Sequence, residues 1–312
     1  MKTLLLAFAA AATVSLGGCI NVRVDETTVF APVPFDEARA KETGEKIDGE
    51  RGFAAADAWT AAWTSRVERG VLTAPAPGFV ATNVEHGRVA GPGGFAWTML
   101  SRAGEGRPLI VRCGGNASTR QRNGFVYGVT ALPHGDVLEF DYPGSGETGG
   151  AASPEAFEAM RDGLLRLVRE KAAGRELVLW GHSLGGFVCS QLAERMPETD
   201  GVIIETSARN AKEVSKAWTP WFAGPFVKIT IAEGIAAYDN AISLKGFKGP
   251  VLVLGALHDQ TLPVQLARSL GKALTEEGVD AVYLEFKEGG HSSLPGQTGF
   301  APAIDAFFAR VK

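Results

Sequence analysis

The residues able to do chemistry concentrate in Glu176-Leu177-Val178-Leu179-Trp180-Gly181-His182-Ser183-Leu184-Gly185-Gly186. A serine hydroxyl is a weak nucleophile and works only where a base can reach it. Glycines two residues before and two residues after Ser183 suit a sharp strand-to-helix turn that exposes the hydroxyl, with no side chain crowding the bend. The helix predicted next carries Phe187, Val188, Leu192, Ala193 and Met196. Its first N–H groups, that of Leu184 foremost, would point toward an oxyanion formed beside Ser183.

A nucleophilic serine needs a base, and the base needs an orienting carboxylate. Of the five histidines, only His258 and His291 lie beyond Ser183 with a strand pattern in between. His291 stands in Glu288-Gly289-Gly290-His291-Ser292, just after the last predicted strand, Val282 to Phe286. Asp259 follows the run Val251 to Leu254. Each group is thus predicted at the carboxyl end of a different strand, where α/β sheets place their sites. His258 adjoins Asp259 too closely to face it and reads as a loop residue. His182 is expected to pack or hydrogen-bond behind Ser183. His86 falls in an early hairpin and His134 in a turn after Pro133. Asp239 lies in a helical pattern, and Asp141, at a strand end, reads as a loop anchor. No histidine, cysteine or carboxylate cluster has metal-ligand spacing, and the chemistry calls for no cofactor.

The elements that must position these groups alternate. Phe79 to Glu85 and Phe95 to Ser101 read as a hairpin across a glycine-rich turn. Leu109 to Arg112, Asp136 to Phe140, Leu177 to Trp180, Gly201 to Glu205, Pro250 to Leu254 and Asp280 to Phe286 read as further strands. Ser153-Pro154-Glu155 is a helix start, with a capping serine and a proline at the first position. Further helices are predicted after Ser118 or Asn116, over Pro263 to Glu277 and over Phe300 to Lys312. Alternation of this kind implies a mostly parallel sheet of about eight strands covered by helices on both faces. A short cap segment is predicted at 207–249, with Trp218, Trp221 and Phe222 as aromatics that could line a pocket.

Taken together, these residues resemble the α/β-hydrolase superfamily of serine hydrolases, from about Phe79 to Lys312. Asp141-Tyr142-Pro143-Gly144-Ser145-Gly146-Glu147-Thr148-Gly149-Gly150 is similar to a D-Y-x-G-x-G-x-[ST]-x-G stretch of bacterial esterases and acyl-protein-thioesterase-like relatives. Those relatives carry a His-Gly-Asn-Ala oxyanion loop; here the loop reads Gly114-Gly115-Asn116-Ala117, with Gly114 in place of the histidine. The resemblance implies the α/β-hydrolase fold, with Ser183 as nucleophile, Asp259 as acid and His291 as base. It also implies backbone oxyanion donors at Leu184 and Asn116, with Gly115 as the fallback, and a pocket using Tyr142, Trp218, Trp221 and Phe222. The implied reaction is hydrolysis of a small-molecule carboxylic ester or thioester. Cleavage of an amide, or a catalytically silent binding role on the same fold, are the alternatives. The short cap favours short to medium acyl groups.

The N-terminus carries a different kind of signal. Lys2 precedes an apolar stretch, Leu4 to Leu16, too short to span a bilayer as a helix. Leu16-Gly17-Gly18-Cys19 resembles a bacterial lipoprotein processing site, which implies a signal peptide over 1–18 and lipidation of Cys19. A membrane-anchored, extracytoplasmic address follows, on the periplasmic side of the outer membrane if the source is Gram-negative. Residues 19–52 read as a polar tether, with a helix expected over 53–69, and 53–312 as one hydrolase domain whose core starts near 79. A net charge of −4 without a basic run argues against nucleic acid as a partner, and no protein partner is indicated. Cys113 and Cys189 are both expected in the core, as free apolar thiols.

Overall fold

The computed structural model describes residues 12–14, 20–25, 29–30, 32–33, 83–102, 104–120, 130–219 and 227–311. The helices expected over 53–69 and after Ser118, together with residues 79–82, Trp221, Phe222 and Cys19, lie outside the described residues.

An eight-stranded sheet forms the centre of the molecule. Its strands are β3 (Asn83–Arg88), β4 (Ala96–Ser101), β5 (Leu109–Cys113), β6 (Asp136–Phe140), β7 (Leu177–His182), β8 (Gly201–Glu205), β10 (Val251–Ala256) and β11 (Ala281–Phe286). The spatial order is β11-β10-β8-β7-β5-β6-β4-β3. β3 pairs antiparallel with β4, and β4 with β6; all other pairings are parallel. β5, β7, β8 and β10 are buried along their whole length. This explains why they read as continuous apolar runs rather than alternating ones.

The alternation reappears as two cores. Val111, Leu179, Ile204 and Val253 face one side, where they pack with α1 (Pro154–Ala172), α2 (Leu184–Arg195) and α6 (Gln265–Glu276). Ile110, Val178, Ile203 and Leu252 face the other, against Leu132 and α7 (Phe300–Phe308). α1 starts as its sequence predicts: the Ser153 hydroxyl accepts from Ala156 N–H at 3.2 Å and Pro154 opens the first turn.

The chain runs from β5 outward to β6 and then returns to β7 on the other flank of β5. The loops after β5 and β7 therefore diverge from adjacent strand ends and leave a crevice at the carboxyl edge of the sheet. Cys113 pairs with Gly181, so the loop starting at Gly114 rises beside His182 and Ser183.

The 207–249 segment contains α3 (Ala211–Trp218), β9 (Val227–Ile231), α4 (Glu233–Ala236) and α5 (Asn240–Ser243). β9 pairs in parallel with β2 (Ile20–Val24), which also pairs antiparallel with β1 (Ala12–Val14). The tether reading of 19–52 needs correcting only at its described residues, 20–25, 29–30 and 32–33. Phe30 is buried, with its ring centroid 3.9 Å from that of Phe157 and 5.5 Å from that of Tyr142. Gly146 N–H donates to Val33 C=O at 2.8 Å, so Phe30 and Val33 are packed on the body. Phe30 supplies the apolar anchor, and the open edge of β9 supplies backbone partners for Ile20–Val24. A second correction concerns the cysteines: Cys113 and Cys189 are joined in a disulfide, with Cα atoms 5.9 Å apart. The last residue of β5 and the second turn of α2 meet at bonding distance because α2 packs directly over β5.

Candidate active site

Ser183 sits between β7 and α2 with φ 55° and ψ −119°, in a region that residues with side chains rarely adopt. The turn is tight because the helix start lies directly on the preceding backbone. A Cβ on Gly185 would fall 1.9 Å from Cys113 O, and one on Gly181 would fall 2.3 Å from Gly185 O. The Ser183 N–H donates to Glu205 C=O at 2.8 Å and so ties the elbow to the end of β8. Leu184 is the first residue of α2, where N–H groups point out of the helix start.

Asp259 lies just past β10. Its Oδ1 accepts from the N–H groups of Thr261 and Leu262, both at 2.8 Å, and its Oδ2 faces His291 Nδ1 at 2.7 Å. The Asp259 side chain is 1% exposed, so this contact is shielded from water. His291 belongs to the loop after β11. Its backbone carbonyl accepts from His182 Nε2 at 2.8 Å, and the two imidazole rings lie 5.0 Å apart. The carboxyl ends of β7, β10 and β11 thus converge. Because Asp259 engages Nδ1 of His291, the ring's outward nitrogen is Nε2.

Two loops form the opposite wall. Gly115 is buried, and a Cβ placed there would meet His182 Nδ1 at 2.9 Å and Ser183 Cβ at 3.4 Å. Asn116 is exposed at the tip of this turn, where Ser118 N–H donates to Gly115 C=O. Tyr142 supports the loop from behind, its hydroxyl donating to Gly114 C=O at 2.8 Å. Burial pushes the phenol pKa up, so it remains a donor. Asp141 anchors the adjacent loop as its strand-end position suggested. Its carboxylate accepts from Arg120 N–H at 2.7 Å, from Arg120 Nε at 3.0 Å and from Glu147 N–H at 3.2 Å. Trp218 is 43% exposed, and its indole N–H donates to Thr261 C=O at 2.6 Å, which fastens α3 to the Asp259 loop. Asp239 caps α5 and takes no part in the cluster around Ser183.

Beneath the elbow lies a buried polar group that the strand patterns did not single out. Glu205 is fully buried; Trp180 Nε1 donates to its Oε2 at 3.1 Å, and Arg112 Nη1 approaches the same oxygen at 4.0 Å. The Arg112 guanidinium also stacks 4.4 Å above the Trp180 ring. Burial raises the Glu205 pKa, and Arg112 works against that rise. The visible signals were the single charges ending Gly201-Val202-Ile203-Ile204-Glu205 and interrupting Leu109-Ile110-Val111-Arg112.

A strained serine at a strand-to-helix turn, with a histidine–carboxylate pair at the same edge of a doubly covered, mostly parallel sheet, marks the α/β-hydrolase fold. A model of the Alpha/beta hydrolase family matches residues 121–268. The chain is similar to the lysophosphatidylserine lipase ABHD12 of Danio rerio, 28% identical over 177 residues, which cover 52% of this chain and 46% of that one. It is also similar to human Protein ABHD12B, 24% identical over 185 residues, covering 53% of this chain and 49% of that one. The chain thus spans about half the length of the curated relatives it matches. Among solved structures, the thermophilic carboxylesterase EstE1 from a metagenomic library superposes with a TM-score of 0.59 at 14% identity, over 80% of this chain and 95% of that one.

Proposed function

We propose that this chain is a serine hydrolase that cleaves carboxylic esters or thioesters through an acyl-enzyme. The observation carrying this reading is the His291–Asp259 contact at 2.7 Å, set at the same sheet edge as the strained Ser183 elbow. In the proposed reaction His291 Nε2 takes the proton of Ser183 Oγ as that oxygen attacks the acyl carbon. Asp259 holds the tautomer with hydrogen on Nδ1 and stabilises the imidazolium. The oxyanion is received by backbone N–H groups of Leu184 and of the Gly115–Asn116 segment. His291 then returns the proton to the departing alcohol or thiol, and water, deprotonated by the same nitrogen, releases the acid. The lipase named among the relatives favours an ester over an amide and makes amphiphile esters the first substrates to try.

Labelling with a fluorophosphonate probe tests the nucleophile. Ser183→Ala is expected to lose the label while keeping its thermal unfolding transition. Asp259→Asn should lower kcat by roughly 10⁴-fold, the cost of the same change in a serine-protease triad on an unrelated fold. Nitrophenyl esters from two to sixteen carbons, set against aminoacyl-nitroanilides, separate esterase from peptidase and read out acyl preference. Unchanged labelling of Ser183→Ala would remove the proposal. We also propose that Cys19 is lipidated and holds the protein on a membrane. Incorporation of a labelled fatty acid, lost in Cys19→Ala, is the expected result.

A further inference from the structure

We infer that His182 and Thr206 are positioning residues that hold the base loop by the main chain of His291, with His182 also spacing that loop from the Gly114–Ala117 loop. The inference rests on the triad reading above and deepens it. The His291 carbonyl oxygen accepts two hydrogen bonds, from His182 Nε2–H at 2.8 Å and from Thr206 Oγ1–H at 2.9 Å. A carbonyl offers two lone pairs, and both are used. The donors come from positions 109 and 85 residues away in sequence, so they join separate parts of the chain to one atom.

Leu294, fully buried in the second core, pins the far side of the loop, and few polar contacts hold the part that carries His291. Among the described residues, its other hydrogen bonds run within the loop or into the start of α7, such as Gly290 N–H to Ser293 Oγ and Gln297 Nε2 to Ser293 C=O, apart from His291 Nδ1 to Asp259. Asp259 alone leaves the imidazole free to pivot about that contact, and anchoring the carbonyl removes the pivot. The acceptor is a carbonyl, so the hydrogen must sit on His182 Nε2. Burial and the neighbouring His291 push the His182 pKa down to about 3, which keeps the ring neutral when His291 accepts a proton. Its other edge lies against Gly115, where an added Cβ would stand 2.9 Å from Nδ1. One imidazole therefore fills the gap between the wall that would receive the oxyanion and the loop that carries the base.

Thr206 shows a second sign of constraint. It has φ 44°, a conformation costly for a β-branched residue, at a 2% exposed position directly after β8. Its own N–H donates to Leu254 C=O at 2.8 Å, so the backbone is locked while the hydroxyl reaches His291.

The test uses the full chain and a nitrophenyl ester, with active sites counted by fluorophosphonate titration and folding followed by thermal unfolding. Thr206→Val keeps the shape and removes the donor, Thr206→Ser restores the donor, and His182→Phe keeps a ring without one. We expect kcat per titrated site to fall roughly fivefold to tenfold in Thr206→Val, the worth of one net hydrogen bond. KM should stay within about twofold, the Thr206→Ser protein should turn over near the parent rate, and His182→Phe should behave like Thr206→Val. Parent-like kcat in both donor-deleted proteins would overturn the inference, as would an equally slow Thr206→Ser or a loss confined to KM. In each of those outcomes the parent still labels and turns over, so the triad reading stands. A parent that neither labels nor turns over would sink that reading and this inference with it.

Discussion

Joining Cys113 to Cys189 ties the end of β5 to the helix that starts at the Ser183 elbow, and its thermodynamic weight can be worked from the sequence separation of 76. In the chain-entropy account, the denatured chain loses 2.1 + 1.5R ln n cal/mol/K on closure, which for this separation gives about 4.5 kcal/mol at 25 °C. In a domain of this size that corresponds to a shift in Tm on the order of 10 °C. Both cysteines are completely buried, so reductant added to the native protein is expected to act only through unfolding. The clean comparison is therefore one sequence in two redox states: unfolded in urea, then refolded with or without dithiothreitol, and titrated again with urea. The reduced protein should unfold at distinctly lower urea and with a steeper slope, because its denatured state is more expanded. Alkylation in urea without reductant, read by peptide mass, should leave Cys113 and Cys189 unmodified. Coincident titrations within about 1 kcal/mol, or alkylation of both cysteines without reduction, would show two free thiols and refute the reasoning.

Two further outcomes follow from the elbow. Gly185→Ala should cost at least the roughly 1–3 kcal/mol of an overpacked core, because its Cβ would overlap the backbone oxygens of Cys113 and Gly114. Probe labelling should also slow; an alanine variant that melts and labels like the parent would contradict the contact. The second concerns acid. The folded-state pKa of His182, about 3, lies below its ordinary 6.5, so the stability this gives is complete above pH 6.5 and is lost as pH falls toward 3. Between pH 7 and 4 the parent should lose roughly 3 kcal/mol more than His182→Phe in urea titrations, and parallel losses would refute the shift. Glu139 runs the other way: burial lifts its pKa to about 7, so its contribution is complete below 4.5 and disappears as pH rises through 7. It is common to both proteins and cancels in the difference.

The sheet was legible because its central strands are buried on both faces and therefore read as uninterrupted apolar runs, and because glycine positions flag the elbow. Ser183 and Asp259 each follow such a run, whereas His291 follows the edge strand β11, whose Val282 and Leu284 are exposed. β9 was not legible. Val227-Lys228-Ile229-Thr230-Ile231 has strand alternation, but it lies in a segment read for its aromatics, and its partner is a stretch more than two hundred residues earlier. The same long separation hid the burial of Phe30, whose socket is assembled from Tyr142, Phe157 and Tyr238. Sequence position, at the end of an apolar strand and in the helix after the elbow, marked both cysteines as core residues. It could not say that α2 lies across β5 closely enough to join them.

The groups around Ser183 divide by what they hold. In the proposed reaction Ser183, Asp259 and His291 supply the side chains. Asp259 is held through its own carboxylate by Thr261 and Leu262 N–H. The contacts that hold the backbone around Ser183 and His291 fall on main-chain oxygens: Ser183 N–H on Glu205, Tyr142 on Gly114, and His182 and Thr206 on His291. A carbonyl is present whatever side chain its residue bears, so this frame survives substitution of the triad itself. Ser183→Ala, Asp259→Asn and His291→Ala should therefore leave the backbone in place and remove turnover. Removing a frame donor takes away one hydrogen bond, worth about 0.5–1.5 kcal/mol net, and leaves the reacting groups intact. Large rate losses at unchanged stability on one side, and modest losses that a conservative replacement restores on the other, are the two signatures this arrangement must produce.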